Sequence, residues 1–142
     1  MVIAIGVLPG FGTLFVAAKL KLKTNVTVVI PSTENSVSSD SYKPGDVYTS
    51  YSGKTVEVGN TDAEGRLILA DALSYAVKHL KPTQIIDFAT LTGAIEIALG
   101  NETAGLMSNN DALADSLIRA GSATFERVWR LPLYEEYRDQ LK

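Results

Sequence analysis

Residues 58–72 read VGNTDAEGRLILADA, and two conformations of this stretch predict two different functions. Asp62, Glu64 and Arg66 occupy every second position, directly before the apolar part of the stretch. A helix that begins early would make these residues an ordinary helix start. An extended segment ahead of the helix would instead bring the three side chains together, as a metal site requires.

The helical interpretation rests on capping. Thr61 and Glu64 have the spacing of a capping box, in which a hydroxyl and a carboxylate satisfy free N–H groups of the first turn. Acidic residues also suit the positive end of the helix dipole. Gly65 argues slightly against this interpretation, because glycine in a helical turn costs about 1 kcal/mol relative to alanine.

The extended interpretation rests on the alternation of side chains along a strand, where every second side chain points to the same side. The carboxylates of Asp62 and Glu64 would then start roughly 7 Å apart, and they would repel each other unless a cation lay between them. Paired divalent ions lie roughly 3.5–4 Å apart, and a carboxylate can bridge them. Arg66 would add a fixed positive charge where an oxyanion develops. In a helix the three side chains would fan apart.

Composition narrows the class of protein. The chain has 142 residues, of which 46% are hydrophobic and 20% are charged, as in one globular domain. A net charge of −3 and a pI near 5.1 give no basic face for nucleic acid. The chain has no cysteine, which excludes thiolate metal ligands and is compatible with a reducing cytoplasm. The apolar opening, Met1–Leu8, is too short to span a membrane.

Hydrophobic periodicity alternates between strand and helix signals along the chain. Strands are predicted at Val2–Val7, Asn25–Pro31, Val47–Ser50, Thr55–Val58, Gln84–Thr90 and Thr103–Ser108. Helices are predicted at Gly12–Lys23, Arg66–Leu80 and Asp111–Ala120. This alternation favours an α/β fold in which a mostly parallel sheet is flanked by helices.

The stretch NTDAEGRLILADAL closely resembles the signature of the leucyl aminopeptidase family, the two-metal exopeptidases also called cytosol aminopeptidases. Further stretches resemble that family in the same order: YKPGD at 42–46, SGKTVEV at 52–58, ATLTGA at 89–94, AGLMSN at 104–109 and VWRLP at 128–132. The resemblance is strongest over residues 12–142. It implies that residues 1–142 are an incomplete C-terminal catalytic domain of the α/β class, with the family's N-terminal domain absent.

The resemblance also implies roles for particular residues. Asp62 and Glu64 are similar to two metal ligands, with Glu64 bridging both ions, and Arg66 is similar to the catalytic arginine, which holds a bicarbonate that acts as general base. The residues similar to those of the substrate site are Asn60, Thr90, Leu91 and Gly93. The implied reaction is release of an N-terminal amino acid, such as leucine, from a peptide by water activated at two divalent ions, manganese or zinc. The family also implies a cytoplasmic hexamer, with peptides as partners and neither membrane nor nucleic acid.

Part of the family's ligand set has no counterpart in this sequence. The upstream motif with a metal-binding lysine and aspartate and a catalytic lysine is not found, and the place of a further ligand aspartate falls at Ile3. Two carboxylates do not replace that set, since each ion needs four or more donors. His79 is the sole histidine and is not expected to be a ligand. We therefore expect a fragment or truncated relative that is not an efficient catalyst alone.

Two alternatives remain open from the sequence. One is a degenerate, non-catalytic member of the family that acts as a structural or binding subunit. The other is a nucleotide-binding module, because the first predicted strand leads to Gly10 and Gly12, and Glu34 lies where a ribose-binding acid would. Phe15 occupies the third glycine position and opposes this second alternative, since its bulk hinders close helix–strand packing.

Overall fold

The structure is a computed structural model that describes residues 2–5 and 7–141, with side chains from residue 9 to residue 140. The chain divides into two compact units, residues 1–91 and residues 92–142.

The first unit is built on a three-stranded parallel sheet. Its elements are β1 (Val2–Ile5), α1 (Val7–Lys19), β2 (Val26–Val29), β3 (Val47–Thr49), β4 (Thr55–Glu57), α2 (Glu64–Tyr75) and β5 (Gln84–Asp87). The strand order is β2-β1-β5, and β1 pairs in parallel with both neighbours. Strands β3 and β4 form a separate antiparallel hairpin. The helix α2 continues through a π-helical turn, Ala76–Leu80, and Lys81 closes it in the left-handed conformation.

The core of the first unit lies between α2 and the parallel sheet. Ala72 and Ala76 are buried, and partly buried apolar side chains from both layers pack against them: Val29, Leu69, Leu73, Leu80 and Ile85. Small residues on this face of α2 let the helix approach the sheet closely, which buries the apolar side chains of β2 and β5. The later part of α2, from Leu69 onward, is thereby packed against the sheet.

Helix α1 approaches the same sheet through a glycine. A Cβ atom at Gly10 would lie 2.4 Å from Cγ1 of Val28, so another residue fits here only if the Val28 side chain moves. Other apolar side chains of α1 face solvent, among them Phe11 at 60% exposure and Phe15 at 66%.

The second unit contains α3 (Ala94–Leu99), β6 (Ala104–Leu106), α4 (Asp111–Thr124), β7 (Val128–Arg130) and a 3-10 helix at Glu135–Leu141. Strands β6 and β7 pair in parallel. Asn110 caps α4, because its Oδ1 accepts a hydrogen bond of 3.0 Å from the N–H of Leu113. The helix ends where Phe125 turns left-handed, at φ 64°.

The structure confirms the predicted α/β class, and among the described strands every pairing except the β3–β4 hairpin is parallel. The prediction was wrong at the start of the chain: β1 ends at Ile5, and α1 begins at Val7 instead of Gly12. Pro9 lies in the first turn of α1, where its missing N–H breaks no helical hydrogen bond. Gly10 and Gly12 therefore lie within a helix, which contradicts the predicted phosphate-binding turn.

Among the described residues, no helix combines the length and the apolar character needed to cross a lipid bilayer.

Candidate active site

The signature stretch is helical almost from its start. Thr61–Ala63 form one 3-10 turn, and α2 begins directly after it at Glu64. Asn60 is extended, at φ −147° and ψ 122°, and its Oδ1 accepts a hydrogen bond of 3.0 Å from the N–H of Asp62. Asparagine is a favoured N-cap because its side chain replaces a missing backbone acceptor.

Both conformations predicted for this stretch therefore need correction. The extended interpretation was wrong, because Thr61–Ala63 and Glu64 onward are helical and the alternation of side chains does not apply. The capping-box interpretation was wrong about the cap, which Asn60 supplies instead of Thr61. Asp62 and Arg66 are exposed, whereas Glu64 is partly buried.

Glu64 carries the most informative electrostatic feature of the first unit. Its Oε2 is shielded from solvent, and it accepts no hydrogen bond from the residues that the structure describes. An unpartnered polar atom in such a place costs about 1–3 kcal/mol, and more when it is charged. A cation is the kind of partner that satisfies a buried carboxylate, so Glu64 fits the role of a metal ligand.

The described residues do not assemble the rest of a metal centre. Within residues 2–5 and 7–141 there is no group of three or more His, Cys, Asp or Glu side chains placed to hold a metal ion. The unpartnered oxygen of Glu64 is the feature of the described residues that fits a metal ligand.

The turn that carries Asp62 is tied to the chain that precedes the hairpin. Val58, at 3% exposure, donates its N–H to Asp46 and accepts from the N–H of Gly45, both at 2.8 Å. The hydroxyl of Tyr42 donates to the carbonyl of Thr61 at 3.0 Å. The Val58 hydrogen bonds fix the chain just before the turn, and the Tyr42 hydrogen bond fixes Thr61 within it.

The β3–β4 hairpin is also tied to α2, through Asp71. The Tyr48 hydroxyl donates to Oδ2 of Asp71, and the N–H of Tyr51 donates to Oδ1 at 2.8 Å. The hydrogen bond to Asp71, together with burial and the negative charge of Asp71, raises the pKa of Tyr48 to about 12. Asp71 therefore joins the hairpin to the helix that begins at Glu64.

His79 belongs to an aromatic group at the other end of α2. Its Nε2 lies 2.6 Å from the hydroxyl of Tyr51, and its ring centroid lies 4.7 Å from that of Tyr75. The side chain is exposed and makes these contacts instead of facing a carboxylate cluster. His79 therefore forms an aromatic group with Tyr51 and Tyr75.

Leu91, a predicted substrate-contacting residue, lies beside the signature although it is 26 positions from Gly65. A Cβ atom at Gly65 would lie 3.1 Å from Cδ2 of Leu91, so the glycine makes room for this side chain. Thr90 is its exposed neighbour after β5. Gly93 belongs to the second unit, where it precedes α3.

No role was predicted for Tyr42 or Asp71, although Tyr42 contacts the turn that carries Asp62 and Asp71 joins the hairpin to α2. Tyr42 stands in the YKPGD motif, which was noted only as a resemblance. Asp71 is the one charged residue in the run LILADAL. A charged side chain within an apolar run of a helix indicates that it has a hydrogen-bond or ion-pair partner in the fold. The identity of either partner could not be read from the spacing.

Comparison with known proteins defines the class. The chain is 65% identical over 132 residues to a probable cytosol aminopeptidase of Protochlamydia amoebophila, covering 93% of this chain and 26% of that protein. It is 56% identical over 139 residues to a probable cytosol aminopeptidase of Chlamydia felis, covering 98% of this chain and 27% of that protein. The chain thus spans about a quarter of the length of the curated relatives it matches. These relatives are aminopeptidases.

Solved structures agree with the sequence relatives. The cytosol aminopeptidase of Coxiella burnetii is similar with a TM-score of 0.88 and 40% identity, over 99% of this chain and 36% of that chain. The apo leucyl aminopeptidase of Trypanosoma brucei is similar with a TM-score of 0.89 and 33% identity, over 98% of this chain and 31% of that chain. Residues 6–142 match the catalytic domain of the cytosol aminopeptidase family, and the chain belongs to that family.

Proposed function

We propose that this chain forms part of the catalytic site of a metal-dependent aminopeptidase that releases N-terminal amino acids, such as leucine, from peptides. The observation that carries the proposal is the buried, unpartnered Oε2 of Glu64 at the start of α2. Its position within the family signature supports a ligand role over an accident of packing.

In this proposal Asp62 and Glu64 hold divalent cations, manganese or zinc, and further ligands complete the set. Carboxylate oxygens suit both metals. When bound, such ions supply a water of lowered pKa and a positive charge against the tetrahedral intermediate. Glu64 contributes its unpartnered oxygen, and Asp62 contributes a carboxylate from the turn that precedes it.

Arg66 is proposed to hold an anion beside these carboxylates, a bicarbonate or the oxyanion of the substrate. Its guanidinium is exposed and makes no ion pair with the residues that the structure describes, so its donors are available. A guanidinium keeps its charge throughout the physiological pH range and presents a planar fork of donors, which matches a bicarbonate or a carboxylate.

Substrate positioning is proposed for Asn60, Thr90, Leu91 and Gly93. The Oδ1 of Asn60 is used by the cap on Asp62, which leaves its amide N–H groups as donors to a peptide. Leu91 lies against Gly65 and offers an apolar surface to the first side chain of the peptide. A preference for leucine would follow from that apolar contact.

We expect the 142-residue chain alone to be a poor catalyst, because the four oxygens of two carboxylates, shared between two ions, give each ion fewer than the four donors that it needs. Isothermal calorimetry with manganese and zinc, together with hydrolysis of a leucine anilide, measures this directly. Turnover by the chain alone that disappears in Asp62→Ala would contradict the expected inactivity.

A chimera tests the catalytic role itself. The segment of the Protochlamydia relative that aligns with this chain is replaced by this chain, and leucine anilide hydrolysis is measured. We expect an active chimera that loses most of its kcat in Asp62→Ala and in Glu64→Gln. A chimera with unchanged thermal stability but no activity would favour the non-catalytic family member.

Cytoplasmic location and hexameric assembly are proposed on the same family resemblance. The names of the curated relatives carry the word cytosol. Light scattering on the purified chain and on the chimera gives the assembly state, and a chimera that is active as a monomer would contradict the hexamer.

A further inference from the structure

We propose that the hydroxyl of Tyr42 is a positioning group, which fixes the turn that carries Asp62 and leads into Glu64. This inference rests on the proposed function, because it concerns how the candidate metal ligands are held. The hydroxyl donates to the carbonyl of Thr61 at 3.0 Å, although the two residues are 19 positions apart. That carbonyl lies between the Asn60 cap and Asp62.

The turn needs an external support because it is short and changes direction. Between β4, which ends at Glu57, and α2, which begins at Glu64, the chain leaves a hairpin and enters a helix. Its internal hydrogen bonds are the Asn60 cap at 3.0 Å and a bond of 3.3 Å from the N–H of Ala63 to the carbonyl of Asn60. Both are local, so neither fixes the turn relative to the rest of the first unit.

Tyr42 can supply that support because its own segment is fixed. Lys43 donates its N–H to Oδ2 of Asp46 at 2.9 Å, and its Nζ lies 2.5 Å from Oδ1 of the same carboxylate. These hydrogen bonds to Lys43 hold the pKa of Asp46 below its usual range. Gly45 and Asp46 exchange backbone hydrogen bonds with Val58, which is buried. The tyrosine therefore projects from a closed turn that is bonded to the base of the ligand-bearing turn.

The other side of the ligand-bearing turn is held by the Asp71 contacts. Tyr48 and Tyr51 of the hairpin donate to Asp71 on α2, so the hairpin and the helix that flank the turn are joined to each other. Because the two elements that flank the turn are joined to each other, the Tyr42 hydrogen bond is the contact that limits movement of the turn itself. Ligand positions within fractions of an ångström decide the affinity of a metal site, which is why such supporting contacts matter.

The test uses Tyr42→Phe in the 142-residue chain, with Tyr134→Phe as the matched control. Tyr134 is 62% exposed, lies in the second unit and contacts Tyr137 through its ring. Two quantities are measured by NMR: hydrogen exchange at the amides of Asp62 and Ala63, and paramagnetic broadening near Glu64 as Mn²⁺ is added. Thermal unfolding is measured in parallel.

We expect Tyr42→Phe to speed exchange at those two amides and to weaken apparent Mn²⁺ affinity, each by about three- to tenfold, the equivalent of one neutral hydrogen bond. The unfolding temperature should fall by no more than about 4 °C, the effect of one such hydrogen bond in a chain of this length, and Tyr134→Phe should change nothing. A residue with a merely structural role would lower the unfolding temperature but leave the exchange at these two amides and the Mn²⁺ affinity unchanged.

The outcomes distinguish the two proposals. Unchanged exchange in Tyr42→Phe overturns the positioning role whether or not Mn²⁺ binds. Faster exchange with unchanged Mn²⁺ affinity overturns the link between the Tyr42 hydrogen bond and the cation. If wild type shows no broadening near Glu64 but Tyr42→Phe still speeds exchange, the positioning role of Tyr42 is supported and the metal role in the proposed function is contradicted.

Discussion

Replacing Glu64 by glutamine should stabilise the metal-free protein while it removes metal binding. The carboxylate has one oxygen that is shielded from water and has no hydrogen-bond donor among the described residues. Folding therefore desolvates part of a charged group without compensation. Glutamine has nearly the same shape and no charge, so the desolvation cost falls.

The size of the effect follows from how much of Glu64 is buried. An unpartnered buried polar atom costs about 1–3 kcal/mol. Glutamine still places an unpartnered polar atom at this position and removes only the charge, and Glu64 is only partly buried, so the gain is at most about 1 kcal/mol. For a chain of 142 residues this raises the unfolding temperature by at most about 4 °C.

The assay is urea unfolding followed by far-ultraviolet circular dichroism, with a chelator and again with excess Mn²⁺. Wild type should gain stability from Mn²⁺ as mass action requires, and Glu64→Gln should not. Asp62→Asn is the matched control: its side chain is exposed, so without metal its stability should change by less than about 0.5 kcal/mol, although it too should lose the response to Mn²⁺. A destabilised Glu64→Gln in chelator, or an equal gain from Mn²⁺ in both proteins, would refute the reasoning.

Two further predictions concern packing and pH. Gly121→Ala should destabilise the second unit by about 2 kcal/mol, because the added Cβ would lie 2.4 Å from the carbonyl oxygen of Glu126. At Gly12 an added Cβ meets nothing within 4 Å, so Gly12→Ala should stabilise the protein by up to about 1 kcal/mol through its higher helix propensity. Unfolding of the Gly121→Ala variant is followed by Trp129 fluorescence, and unfolding of the Gly12→Ala variant by circular dichroism. A Gly121→Ala variant as stable as wild type would show that α4 shifts away from Glu126 without cost. Tyr48 has its pKa raised from 10.0 to about 12 in the folded state, so its stabilising contact with Asp71 is fully present below pH 10 and is lost as pH rises through 12. Titration of tyrosinate absorbance should show one of the six tyrosines ionising late, and Tyr48→Phe should remove that phase; a single phase for all six would contradict the Asp71 contact.

Elements with strong local signals were predicted well from the sequence. The run VTVV is β-branched and stops before Pro31, and it forms β2 as expected. Helix α4 begins at Asp111 as predicted, and it continues four residues past the predicted end, to Thr124. Gly121, in this added turn, lies close to the carbonyl of Glu126. Two short elements were not predicted: α3 has six residues and β7 has three. Such elements form because neighbouring strands and helices pack on them, which periodicity does not report.

The signature pointed to particular residues but not to their conformation. It drew attention to Asp62, Glu64 and Arg66, whose roles stay a prediction, and the structure adds that Oε2 of Glu64 is buried and unpartnered. Asn60 and Thr61 are both good caps by type, and in the structure Asn60 is the extended residue that caps the turn. The contacts of Tyr42 with Thr61 and of Gly65 with Leu91 join positions 19 and 26 apart, and no local pattern encodes a contact across that separation.

The closeness of Gly65 and Leu91 has a consequence for mutagenesis of this pair. A Cβ atom at Gly65 would require the Leu91 side chain to shift by a few tenths of an ångström. A library that randomises Gly65 alone would therefore sample each side chain only against a leucine that has to move. Diversifying the two codons together, with bulk exchanged from one to the other, keeps the combined volume constant and opens combinations that single steps cannot reach.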